Sequence, residues 1–125
     1  MLIKIPTLER YIDDEGKVKK KQGEMKVQID TSFLAHLKWE EQFQPAVGYD
    51  LATYTAMVRE WIKDENKQKT HFVGMLKLLY CYVNSDEIPT FREFAKLFDY
   101  EIADQILNKI SAVLEEINKS VSGKN

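Results

Sequence analysis

Two histidines, one cysteine and several pairs of adjacent acids are the side chains that could do chemistry in this 125-residue chain. His36 and His71 are potential metal ligands, but they fall on different predicted helices, with no cysteine or paired acid at ligand spacing. Ordinary core or surface histidine is the reading that follows. Cys81 is a potential nucleophile, yet it lies in the most apolar segment, where burial raises a thiol's pKa and leaves it inert. Adjacent acids occur at Asp13-Asp14, Glu40-Glu41, Asp86-Glu87 and Glu115-Glu116. Acid–base catalysis requires two carboxyls in different environments across a cleft, whereas neighbours along a helix or turn point at solvent. The sequence has no phosphate-cradling glycine loop, no nucleophile elbow and no helical His-Glu pair of the metalloprotease kind. The expectation is a protein that is not an enzyme and holds no cofactor or metal.

The elements that would carry these residues belong to one domain. Hydrophobic residues make up 44 % and charged residues 30 %, with 5 Gly and 3 Pro, a globular and helix-leaning composition. A net charge of -2 gives no long-range attraction for phosphate backbones or anionic lipid, so nucleic acid and membrane are not expected partners. The lone cysteine excludes an internal disulfide, and the opening residues lack the features of a secretory signal, which points to a reducing cytoplasm. No apolar run approaches the roughly 18 residues of a membrane span.

The pattern predicts an α+β fold, mainly a bundle of about five helices with a short N-terminal two-stranded β-ribbon. Residues 1–30 read as the ribbon, 31–121 as helices and 122–125 as a flexible tail. "LIKIP" reads as a strand ended by Pro6, and "MKVQI" alternates Met25, Val27 and Ile29 as a half-buried strand does. Between them "YIDDEGKVKKKQGE" reads as a long exposed connection with a mobile tip. Residues 31–43 suit either a continued strand or a helix capped by Asp30 or Thr31, and helix is preferred. Pro45 and Gly48 end it. Asp50 caps the next helix, with Leu51, Tyr54, Val58, Trp61 and Ile62 on one face. A polar patch, "DENKQK", leads to a helix from Thr70 to Val83 that is apolar nearly all round and belongs at the centre. After a turn, Thr90 and Glu93 form a capping box, and Asp99 caps a final helix running to about Val121. Its stripe of Ala103, Leu107, Ile110, Leu114, Ile117 and Val121 is heptad-like.

"TFREFAKLFDYEIADQILNKI" also scans as a helix-turn-helix, so a small DNA-binding regulator of a phage or prophage is the alternative reading. A recognition helix requires donors near its start, however, and Glu101 and Asp104 would face the phosphates.

"IDTSFLAHLKWEEQF", "LATYTAMV" and "LKLLYCYVNSDEIPTFREFAKLF" together resemble the tail assembly chaperones of long-tailed (siphovirus-type) phages and prophages of Gram-positive bacteria. The resemblance covers about residues 25 to 100. It is carried by Asp30, Thr31, Trp39, Phe43, Tyr54, Leu79, Tyr80, Thr90, Phe91 and Phe94. In place of the family's usual Phe-Pro, this chain has "FQPAVGYD". The resemblance implies a non-enzymatic chaperone that binds the tape measure protein and keeps it soluble before and during polymerisation of the tail tube. It implies the host bacterial cytoplasm as the location, with no copy in the mature virion. Members are often made in a second, frameshift-extended form that engages the tail tube protein. Gly123-Lys124-Asn125 can be encoded as GGA AAA AAC, which holds a slippery heptamer.

Two surfaces are candidates for the grip. The outer half of the last helix, Leu114, Ile117 and Val121, is expected to project beyond the core, with core packing or a homo-oligomer seam as the competing reading. Lys19, Lys20 and Lys21, at the ribbon tip, are the second candidate, a loose cationic handle for an acidic partner.

Overall fold

The computed structural model describes residues 1–84 and 88–122, with side chains through Ser120. Alternating apolar residues at each end of the N-terminal segment pair as expected, but the strands do not stop where composition suggested. β1 (Leu2–Ile12) and β2 (Val18–Ile29) run antiparallel in one unbroken register, from Leu2 opposite Gln28 to Ile12 opposite Val18. The long exposed connection is therefore strand, and the turn is confined to Asp13–Lys17. There the Asp13 carboxylate accepts from the backbone N–H groups of Glu15 and Lys17, and Gly16 supplies the positive φ of 79°.

Pro6 does not end β1, and the reason is geometric. Leu8 turns its N–H outward to the carbonyl of Leu97 (2.8 Å), and Pro6, two residues earlier, shares that side. Its missing donor falls where no ladder bond is required. The buried positions shift across Pro6, from Ile3 and Ile5 to Leu8, so the ribbon buries first one face and then the other.

Helix follows at α1 (Phe33–Gln42), which settles the ambiguity of residues 31–43. The cap is Ser32 rather than Asp30 or Thr31, and Asp30 instead accepts from the Ser32 N–H (2.8 Å). Pro45 begins an element instead of ending one. It sits in the first turn of a short α2 (Gln44–Val47), where its lacking N–H is harmless. α3 (Leu51–Trp61) starts at Asp50 as expected, the carboxylate accepting from Thr53 N–H at 2.8 Å. The polar patch is itself helical, α4 (Glu65–Thr70), because Asp64 caps it.

α5 (Phe72–Tyr82) occupies the centre, with eight of its side chains buried. It runs into a two-residue strand β3 (Val83–Asn84), which pairs with Gln28 and Ile29 and makes the ribbon a three-stranded sheet in the order β1-β2-β3. α6 (Phe91–Ala95) is capped by Thr90, whose hydroxyl accepts from Glu93 N–H at 3.2 Å. Asp99 caps a 3-10 turn (Tyr100–Ile102) that leads into α7 (Ala103–Ser122), packed on α5 and β1. The fold is α+β and mainly helical, with seven α-helices among the described residues where about five were expected. Ser122, assigned to a tail, is still helical. Residues 123–125 and the acidic pair Asp86-Glu87 lie outside the described residues.

Candidate functional site

The residues that carried the resemblance converge. Trp39 of α1 stands 4.5 Å from the Tyr54 ring of α3 and 5.3 Å from Phe43. Phe43 meets Phe91 edge-on at 5.5 Å and Tyr80 at 6.1 Å, and Tyr80 in turn contacts Phe94 at 5.5 Å. Leu79 is fully buried beside them. Offset and edge-to-face ring pairs of this kind interlock α1, α3, α5 and α6 at fixed angles. Trp39 Nε1 donates to the Tyr49 carbonyl (2.8 Å) and Tyr80 Oη to the Pro89 carbonyl (2.9 Å), so the polar atoms of these two rings are satisfied. Burial pushes the Tyr54 hydroxyl up to about 12. The cluster is the structural centre of the fold.

Asp30 and Thr31 act as ties between elements. Asp30 N–H donates to the Tyr82 carbonyl (2.8 Å), its carboxylate accepts from Asn84 Nδ2, and Thr31 Oγ1 meets Ser120 Oγ at 2.9 Å. The hydrogen bonds from Ser32 hold the Asp30 carboxyl below the usual carboxylate value. Beside them the half-buried Lys38 reaches from α1 to the end of α5. Its ammonium donates to the carbonyls of Tyr80 (2.9 Å) and Val83 (3.2 Å) and lies 3.9 Å from the Tyr80 ring centroid. That is a C-terminal helix cap delivered from another helix. Loss of solvent around Lys38 lowers its pKa. A separation of 42 residues from Tyr80 leaves no local signal in the sequence for this role.

The chemistry-bearing residues do not gather. His36 meets Phe33 edge-on at 5.9 Å, while His71 stacks on Trp61 at 4.1 Å. Cys81 is buried, and desolvation pushes its thiol up to about 12, so it is protonated at neutral pH and a poor nucleophile.

Both expected grips require correction. Leu114 and Ile117 are 5 % and 6 % exposed, facing α5 and the ribbon base instead of projecting. The stripe is covered because α7 closes the core from the ribbon side. The Val121 side chain lies outside the described residues. Lys19, Lys20 and Lys21 are not on a loose tip but on β2, opposite Tyr11, Arg10 and Glu9. Lys20 is paired with Glu101, and Lys19 approaches Asp13 at 3.9 Å.

What the structure offers instead is uncovered apolar surface in two places. On α1, Phe33, Leu34 and Leu37 are 87 %, 61 % and 49 % exposed on one side of the helix. Between the distal ribbon, the start of α5 and the α6–α7 connection lies an open groove of about 880 Å³. Leu8, Phe72, Leu76 and Phe98 line it, and Tyr11, Val73 and Tyr100 stand exposed at its edges. Arg10 clasps one end, its Nε donating to Asp99 Oδ2 at 2.5 Å and its Nη2 lying 3.6 Å from Glu101 Oε1. This contact raises the Arg10 pKa and lowers that of Asp99. Sequence reading missed the groove because Arg10 and Asp99 are 89 positions apart. The apolar residues Tyr11, Ile12 and Val18 on either side of a polar turn, in a segment with little else to bury them, were the signal that could have found it.

No protein-family model matches the chain, and no curated protein or solved structure matches it.

Proposed function

We propose that the chain is a phage tail assembly chaperone. It binds the tape measure protein and keeps it soluble before and during polymerisation of the tail tube, without an enzymatic step. The observation that carries this reading is the uncovered apolar groove beside α5. Unassembled amphipathic helices expose apolar stripes that aggregate, and a groove lined by Phe72, Leu76 and Phe98 is the complement such a stripe requires. The exposed α1 face is a further apolar surface, available to a second copy of the chain or to the tail tube protein engaged by a frameshift-extended form. In this role the protein works in the host bacterial cytoplasm and is left out of the mature virion. Among the described residues no helix is long and apolar enough to cross a membrane.

The DNA-binding alternative loses support from the same region. α6 has only 5 residues, and the ribbon lies against the start of α7, with Arg10 on Asp99 and Lys20 on Glu101. A recognition helix has to present that end to the major groove. Coexpression with the tape measure protein tests the proposal. The tape measure protein should be soluble only when the chain is present, and the chain should leave a DNA duplex unshifted at low salt. Tape measure protein that stays insoluble, or a salt-dependent duplex shift, overturns it.

A further inference from the structure

We infer that the groove between the distal ribbon and α5 holds one amphipathic helix of the partner, and that this helix carries an acidic flank. The inference rests on the chaperone reading and names the chemistry of the segment held. Its apolar part follows from the lining. Leu8, Phe72 and Leu76 are buried at the floor, while Tyr11, Val73 and Tyr100 remain 49 %, 53 % and 68 % exposed around it. A helix with apolar residues on one stripe would cover these edges as it fills the floor.

The acidic flank follows from the charges along the groove, which are Glu9, Arg10, Lys21, Lys96 and Asp99. Arg10 and Asp99 neutralise each other. Lys21 and Lys96 form no ion pair among the described residues, so the rim is positive by one charge on a chain of net charge -2. Carboxylates flanking the stripe would meet these two ammonium groups, whereas a lysine-flanked helix would be repelled.

A helix is favoured over an added strand by the state of the β1 edge. Pro6 has no donor there and the Leu8 N–H is already given to Leu97, so a ladder along this edge would be interrupted. The α1 face, by contrast, has no feature that selects its occupant.

The test uses the full chain and two fluorescein-labelled amphipathic peptides of about 18 residues, long enough to form helix on a surface. Both carry the same Leu/Phe stripe, one flanked by Glu and the other by Lys. Fluorescence anisotropy at low salt should give a Kd roughly tenfold lower for the Glu-flanked peptide. The double variant Lys21→Glu/Lys96→Glu should reverse the preference, and Val73→Glu should abolish binding of both. All three changes are at exposed positions, and circular dichroism verifies that each variant is folded. Equal affinities, a preference that survives the double reversal, or no binding by either peptide overturns the inference. The tape measure assay keeps the two proposals apart. If Val73→Glu still holds the tape measure protein soluble, the groove is not its site and the chaperone reading stands. If the unaltered chain fails to hold it, the chaperone reading falls and the peptides still decide the groove.

Discussion

The two ends of α5 are made of similar residues and behave differently. At its C-terminal end Leu79 and Tyr80 are sealed by rings from α1 and α6 and by the ammonium of Lys38. At its N-terminal end Phe72 is buried, but Val73 beside it is 53 % exposed and the ribbon stands off, leaving the groove. Hydrophobic character alone does not say which end is closed. Closure depends on whether other elements bring rings and donors of matching shape, and the ribbon brings strand backbone and charged side chains instead.

The sharpest way to break this contrast is to truncate one ring in the sealed cluster and one at the groove. Trp39→Ala removes the ring between Phe43 and Tyr54 and should destabilise the protein by about 3–5 kcal/mol in urea unfolding. Tyr100→Ala at the groove edge should stay within about 0.5 kcal/mol. Equal costs would mean the groove is part of the core. Leu114→Ala should cost about 2–5 kcal/mol, because the side chain is buried. Unchanged stability would restore the reading of α7 as a projecting grip.

A smaller effect is expected at Gly74. A Cβ there would lie 2.3 Å from the Tyr54 hydroxyl, and Tyr54 is wedged between Trp39 and Trp61 with little room to retreat. Gly74→Ala should destabilise by about 1–3 kcal/mol, and Tyr54→Phe in the same chain should recover much of it. Additive costs for the two changes would show that this contact is not what limits packing.

The smallest effect belongs to the ionic clasp. Hydrogen bonding from Arg10 lowers the Asp99 pKa in the folded protein, so its contribution is present above the unfolded carboxylate value. It is lost as pH falls through the lowered folded value. Asp99→Asn should therefore flatten the decline of stability as pH falls below the unfolded carboxylate value, and a decline as steep as in the unaltered chain would remove the clasp from consideration.

Local patterning accounts for much of the fold. Asp50, Thr90 and Asp99 cap helical segments where the sequence indicated, and α5 is central because it is apolar nearly all round. Periodicity also put Leu51, Tyr54 and Val58 on the buried face of α3. The ribbon was harder to read. Apart from Tyr11, Ile12 and Val18 its distal residues are polar, and a two-stranded ladder is held there by backbone pairing that side-chain composition does not report.

The sequence by itself determined where α3 and α6 begin, which faces are apolar, and that the two histidines fall on different elements. Those are properties of caps and spacing, which act over a few residues. Only the tertiary structure decided that the α7 stripe is covered, that Lys38 closes α5, and that Phe72 and Leu76 border an open groove. Each of these is a meeting of segments tens of residues apart, set by how the ribbon lies against the bundle, and no local pattern encodes that placement.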